Sequence, residues 1–296
     1  MRAEAARLPS WFVQPPPEQQ ALTRMKSLLR EGHLHTVCQS ARCPNMNQCW
    51  ARGVATFMIL GDVCTRACRF CAVKAGRPLP VDEQEPEAVA RTVEALGVTY
   101  VVVTSVTRDD LPDEGAGQFA RTVRAIRRRV PGVKIEVLIP DCSGRVELLR
   151  EITGAAPEVI GHNMETVERL SPEVRPQAEY HRSLAVLRDL RRLAGKDVYI
   201  KTGFMVGIGE TEEEVLALMR DIRDTGCEML TIGQYLAPTG SPRHVRTRRF
   251  VSPEEFEAFK RAGEAMGFSH VMSGPLVRSS YIADQGYREV TRDRKA

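Results

Sequence analysis

The sequence predicts an α/β protein, a partial (βα)6 barrel of the TIM type with N- and C-terminal extensions. Three observations lead there. From Thr56 onward, short β-rich runs alternate with amphipathic helical stretches at a pitch that implies right-handed crossover units on a parallel sheet. The runs are almost continuously apolar, Tyr100-Val-Val-Val103 for instance, as strands are when both sheet faces are covered. The units number six, too few to close an eight-stranded barrel, so an open one is expected; pattern alone leaves a doubly wound sheet open too.

In order, strands are expected over 56–60, 100–104, 134–139, 158–161, 198–204 and 229–233. Helices are expected over 85–96, 118–129, 145–151, 183–193 and 211–224. This divides the chain into an extension over 1–55, the barrel over 56–235 and a second extension over 236–296. In either architecture the chemistry belongs at the carboxyl ends of the strands.

The composition, 43% hydrophobic and 27% charged over 296 residues, supports a globular chain with a sizeable core. No apolar run approaches the roughly 20 residues that span a bilayer. The segment Met1–Gln20 is polar, holds three consecutive prolines (Pro15, Pro16 and Pro17) and lacks the apolar centre of a secretory signal, so a cytoplasmic location is expected. Arginine is dense over 121–129 and 243–249, either as solvated surface or as a docking patch for an acidic partner. Nothing aromatic or base-reading accompanies these runs, so neither nucleic acid nor membrane is expected as a partner.

Six of the eight cysteines fall between Cys38 and Cys71. Clustered thiols in a reducing compartment suggest metal binding or catalysis more than disulfides. Cys142 and Cys227 stand alone and are expected to be small buried hydrophobes.

Cys64, Cys68 and Cys71 form a CxxxCxxC run just after the first expected strand. Three thiolates in so short a loop can hold three corners of a [4Fe–4S] cluster, leaving one iron with an open position, as catalytic sites do. A zinc site is the rival, but no histidine stands near the loop in sequence. Cys38, Cys43 and Cys49 form a second run, CxxxxCxxxxxC, again without a fourth cysteine nearby. Structural zinc is the alternative there as well.

The first run, with aromatic Phe70 before its last cysteine, resembles the signature of radical S-adenosylmethionine (SAM) enzymes. The resemblance implies that SAM chelates the open iron and is cleaved reductively to a radical that abstracts hydrogen from unactivated carbon. Phe70 would lie beside the adenine, or be a plain core residue. Joined to the second run, with its Thr36-Val37 lead-in and its Cys43-Pro44-Asn45 and Cys49-Trp50 steps, the pattern resembles the lipoyl synthase family from about Leu8 to Asp284. That family's auxiliary cluster takes a serine ligand from an Arg-Ser-Ser-Tyr segment. Here the segment is Arg278-Ser279-Ser280-Tyr281, and Ser280 is the matching ligand.

By the same resemblance, Asn163 and Glu165 in His162–Thr166 hold the ribose, Arg175 meets the methionine carboxylate, and the segment opened by Lys201 contributes to the cofactor site. Its glycines before Glu210 would let backbone approach the nucleoside, or make a turn. The reaction implied is insertion of two sulfur atoms at the sixth and eighth carbons of an octanoyl chain on a carrier-protein lysine. The implied cofactors are two [4Fe–4S] clusters and SAM, with the auxiliary cluster as sulfur donor. The implied partners are an octanoylated lipoyl carrier (a lipoyl domain of a 2-oxoacid dehydrogenase or the glycine cleavage H protein), an electron donor and an iron–sulfur carrier. The alternatives are another radical sulfur-inserting or methylthio-transferring enzyme, or a zinc-stabilised binding module. Gln48, Glu114 and the stretch 239–247 depart from the family pattern; every expected cluster ligand is present.

Overall fold

The computed structural model describes residues 8–14, 16 and 18–293; residues 1–7, Pro15, Pro17 and 294–296 lie outside it. One sheet organises these residues, its eight strands in sequence order. They are β1 (His35–Thr36), β2 (Thr56–Ile59), β3 (Tyr100–Ser105), β4 (Lys134–Leu138), β5 (Val159–Gly161), β6 (Tyr199–Val206), β7 (Met229–Gln234) and β8 (His270–Gly274). From β2 to β8 every pairing is parallel, while β1 lies antiparallel on β2. The two edge strands do not pair with each other, so the barrel is open. The six expected strands are β2 to β7. Each extension adds an edge: β1 at one side and a seventh parallel strand, β8, at the other.

The connecting helices follow from local chemistry. Residues Phe119, Val123 and Ile126 recur along one face of the helix Ala116–Arg129 and are fully buried. Thr211 with Glu214, and Ser252 with Glu255, form reciprocal capping boxes that start two further helices. The helix Glu85–Leu96 stops at Gly97, whose φ of 65° places it in the left-handed region.

Side chains alternate across each strand, so one face of the sheet meets the helices and the other faces inward. Val101, Val103, Ile135, Val137, Ile160, Ile200 and Ile232 join the helices in the main core. The inward face at the amino ends of the strands is filled by the C-terminal helix Ala283–Asp293. Its Tyr287 lies 5.7 Å from the Tyr100 ring and 6.0 Å from Tyr199, and the Tyr199 hydroxyl donates to Val290 O at 3.2 Å. Val159 and Met229 pack there too. With that end plugged, the carboxyl ends are left for chemistry. Among the described residues no helix is long and apolar enough to cross a membrane.

Candidate functional site

The segment from Cys64 to Cys71 leaves β2 through Leu60 and Gly61, both at positive φ, and closes a small ribbon in which Val63–Cys64 pairs with Lys74–Ala75. All three cysteines are half-buried and unpaired. Backbone N–H groups point at their sulfurs: Arg66 and Thr107 donate to Cys64 Sγ at 3.4 and 3.3 Å, and Val73 donates to Cys71 Sγ at 3.4 Å. Burial pushes the thiols of Cys68 and Cys71 up, to about 12 and about 11, and the nearby Glu165 carboxylate and neighbouring cysteines add to the rise. Three thiolates gathered here are therefore costly until a cationic group shares their charge.

Three anchors fix this loop. Arg66 forms ion pairs with Asp109 at 2.6 Å and with the buried Asp141 at 2.8 Å, and Asp141 also takes Arg182 at 2.8 Å. Although burial alone would raise it, these guanidinium groups hold the Asp141 carboxyl down at about 2. The run after β3 wraps the loop, with Thr107 O accepting from both the amide and the hydroxyl of Thr65. The departing stretch 239–247 supplies the third anchor. Arg243 donates to the carbonyls of Cys71 (3.2 Å) and Val73 (3.0 Å). His244 Nε2 lies 3.1 Å from Cys71 O; a carbonyl only accepts, so that nitrogen carries a proton, and Nδ1 lies 2.8 Å from the Thr239 hydroxyl. Neither these two side chains nor the acidic partners of Arg66 were expected from the sequence.

The second trio surrounds a small recess, partly open to solvent, lined by Cys38, Cys43, Cys49, Asn45, Thr56, Arg278, Ser280 and Tyr281. The fold thus brings Ser280 to the three cysteines from the far end of the chain. The Thr56 hydroxyl donates to Ser280 Oγ at 2.7 Å. Asn45 Nδ2 holds the tail by donating to Leu276 O at 2.6 Å. At Gly233 a Cβ would stand 2.1 Å from Val277 O, so only glycine lets the tail run this close to β7. Burial, followed by repulsion from Cys38 and Cys43, lifts Cys49 to about 12. Among the described residues no three His, Cys, Asp or Glu side chains are gathered so as to hold a single metal ion.

Asn163 and Glu165 follow β5, with Glu165 in the left-handed region at φ 65°. Asn163 Nδ2 donates to Glu165 Oε1 at 3.0 Å, and burial raises the Glu165 carboxyl against that bond and the nearby Arg175 charge. Arg175 is buried beside them. Its Nε donates to Ser171 and one terminal nitrogen donates to Ser183 and Asn163 O, while the other is buried without a partner. Ser183 in turn lies 3.0 Å from His162 Nε2, and His162 Nδ1 lies 3.1 Å from Ile139 O. Burial holds that imidazole neutral, down at about 4.

The remaining residues stand apart or do structural work. Phe70 is half-buried against the main core. Lys201 is not brought to this group: its ammonium is 2.8 Å from Glu136 on the inward face, where Tyr100 also donates to Glu136. The backbone N–H groups of Gly207, Ile208 and Gly209 all donate to Glu210, so these glycines make a turn. Cys142 and Cys227 are both buried.

A family model described as the radical SAM superfamily matches residues 58–222. A lipoyl synthase from Caldanaerobacter subterraneus subsp. tengcongensis is 54% identical over 265 residues, covering 90% of this chain and 92% of the relative. One from Thermus thermophilus is 49% identical, over 96% of this chain and 88% of the relative. Among solved structures, a methylornithine synthase superposes with a TM-score of 0.57 at 14% identity, covering 80% of each chain, a likeness of fold.

Proposed function

Because this chain belongs to the lipoyl synthase family, within the radical SAM superfamily, we propose that it inserts two sulfur atoms into an octanoyl chain carried on a protein lysine and that its two cysteine trios divide the work. The observation that carries the division is Ser280, lining one recess with Cys38, Cys43 and Cys49 while Cys64, Cys68 and Cys71 stand in a separate, cross-braced loop.

The residues fit the cofactors. Cys64, Cys68 and Cys71 offer three thiols with N–H donors already aimed at two of the sulfurs, an arrangement that suits a [4Fe–4S] cluster with one open corner. Bound there, that cluster supplies the electron for reductive cleavage of SAM. Cys38, Cys43, Cys49 and Ser280 would hold the second cluster, which is consumed as the sulfur donor and is in that sense a substrate. A hydroxyl is a harder, weaker partner for iron than a thiolate, which suits a cluster that has to be dismantled.

The other roles belong to the chain itself. The unpartnered nitrogen of Arg175 is a buried donor that a carboxylate would satisfy, and the methionine end of SAM brings one. Asn163 and Glu165 together offer donors and acceptors for ribose hydroxyls. Phe70 would face the adenine. The open barrel, plugged at its amino end by the C-terminal helix, would shield the reacting carbon from water. The boundaries near 55 and 235 are proposed as functional ones, each extension delivering ligands to the second trio. The partners proposed are a lipoyl carrier protein, an electron donor and an iron–sulfur carrier, in the cytoplasm.

The test is one anaerobic incubation of the reconstituted protein with an octanoyl-lysine peptide, SAM and a strong reductant, read by mass spectrometry. The expected product gains two sulfur atoms on the octanoyl chain. A methylthio adduct, or SAM cleavage with no sulfur transferred from protein carrying both clusters, would overturn the reading.

A further inference from the structure

Neighbouring serines on the C-terminal tail touch two different sites. Ser280 lines the recess of Cys38, Cys43 and Cys49. Ser279 reaches the other way: its hydroxyl lies 2.8 Å from Asn163 Nδ2 and 3.0 Å from Asn163 Oδ1. It sits against β6, where a Cβ on Gly203 would stand 3.2 Å from the Ser279 oxygen.

A side-chain amide has two N–H donors and one carbonyl oxygen. Asn163 spends its Nδ2 on Glu165 and Ser279, and its oxygen accepts from Ser279. No Asn163 donor is left for a ribose hydroxyl. A ribose hydroxyl that accepts from Asn163 Nδ2 must therefore replace either Ser279 or Glu165, and Glu165 belongs to the same ribose site. Adjacent Cα atoms stay about 3.8 Å apart, so Ser279 cannot move far without drawing on Ser280.

We propose that Ser279 is a positioning residue: seated on Asn163 it holds Ser280 among the three cysteines, and SAM, by taking Asn163, loosens that seat. The inference rests on the assignment of Asn163 to the ribose made above. Such coupling is reciprocal, so a seated tail weakens SAM binding by the factor by which SAM loosens the tail. The first SAM then meets a seated tail. Once Ser280 has left the second trio, a later SAM binds without that competition.

The experiment uses the anaerobically reconstituted enzyme with both clusters. In Ser279→Ala, equilibrium binding of SAM should tighten by about 2- to 10-fold, the worth of one competing hydrogen bond. Ser279→Thr, which keeps the hydroxyl, should stay near the original affinity. In the unsubstituted enzyme, amide exchange over residues 276–282 should quicken when SAM is added. A serine that merely supported the tail would leave binding unchanged or weaken it. Unchanged or weaker SAM binding in Ser279→Ala overturns the proposal, as does exchange over 276–282 that slows or stays constant. Asn163→Ala separates the two layers. If it weakens SAM binding while Ser279→Ala fails to tighten it, only the coupling falls; if it leaves SAM binding unchanged, the ribose assignment falls and the coupling with it.

Discussion

Thr56 and Ser280, 224 positions apart in sequence, meet hydroxyl to hydroxyl at 2.7 Å. Thr56 opens β2, the strand that leads into the Cys64 loop, and its backbone N–H also steadies the Cys38 sulfur. Because Thr56 donates, the Ser280 hydroxyl keeps its own proton and a lone pair free to turn toward the recess.

Thr56→Val keeps the shape of the side chain and removes the donor. A hydrogen bond of this kind is worth about 1 kcal/mol net, so sulfur insertion in a single turnover should slow by roughly 2- to 10-fold. SAM cleavage should be untouched, and Thr56→Ser should restore insertion. Equal slowing of cleavage and insertion would mean that Thr56 serves the fold rather than Ser280.

The division between trios predicts two distinct failures. Cys68→Ala should abolish SAM cleavage, and iron should fall from about eight to about four atoms per chain. Cys43→Ala should lose the same amount of iron yet go on cleaving SAM, with no sulfur transferred. Lipoyl product from the Cys43 variant would refute the assignment of the sulfur source.

How far the sequence foretold this site depends on the range of each interaction. The six central strands were legible because both their faces are buried, which leaves long apolar runs. Strand β8, His270-Val-Met-Ser-Gly274, was not: it lies at the sheet edge and its pattern is largely half-buried. The Cys64 loop was legible from spacing alone. Ser280 was legible only through resemblance, because a serine in a turn carries no local mark of what it will touch. Arg66, Asp109, Asp141, Arg243 and His244 act through partners brought together by the fold, and no spacing within one segment announces such a network.

Lys201 offers a direct check on one sequence expectation. Its pairing with Glu136 is buried, with only 5% and 1% of the side chains exposed. Removing one partner of such a pair leaves an uncompensated charge, so Lys201→Met should destabilise the fold by about 3 kcal/mol. Adding Glu136→Gln, which can still accept from Tyr100, should recover most of that loss in denaturant unfolding. SAM affinity should stay within about twofold of normal in the double variant. A large loss of SAM binding there would return Lys201 to the cofactor site.

Glu114, one of the departures from the family pattern, lies at φ 48°, in the left-handed region where glycine is at ease. A residue with a Cβ pays about 1 kcal/mol in that region. The buried Glu114 Oε2 also lacks a partner, and the other carboxylate oxygen has Arg145 only at 3.9 Å. Relief of both terms exceeds the extra chain entropy of glycine. Glu114→Gly should therefore stabilise the protein by about 1 kcal/mol, seen as a higher urea midpoint. A lower midpoint would show that the Arg145 contact outweighs the strain.

His162 sets an acid limit. Burial holds its imidazole down at about 4, whereas in the unfolded chain it titrates near 6.5. Below pH 6.5 the unfolded chain therefore binds a proton that the folded chain refuses, and stability falls until the pH reaches about 4, by roughly 3 kcal/mol in all. Asp141, held at about 2, gives up its contribution only below the ordinary carboxylate range, so the two windows are separate. The unfolding free energy of His162→Gln should lose much of its slope between pH 6.5 and 4, even if the variant is less stable at neutral pH. Because His162 Nε2 accepts from Ser183, which holds Arg175, protonation there would also turn an acceptor into a donor and unseat the guanidinium. SAM binding should accordingly weaken in the unsubstituted protein only as the pH falls toward and below about 4, where the folded imidazole itself takes up a proton. A variant with the original pH slope would move the acid sensitivity to another group.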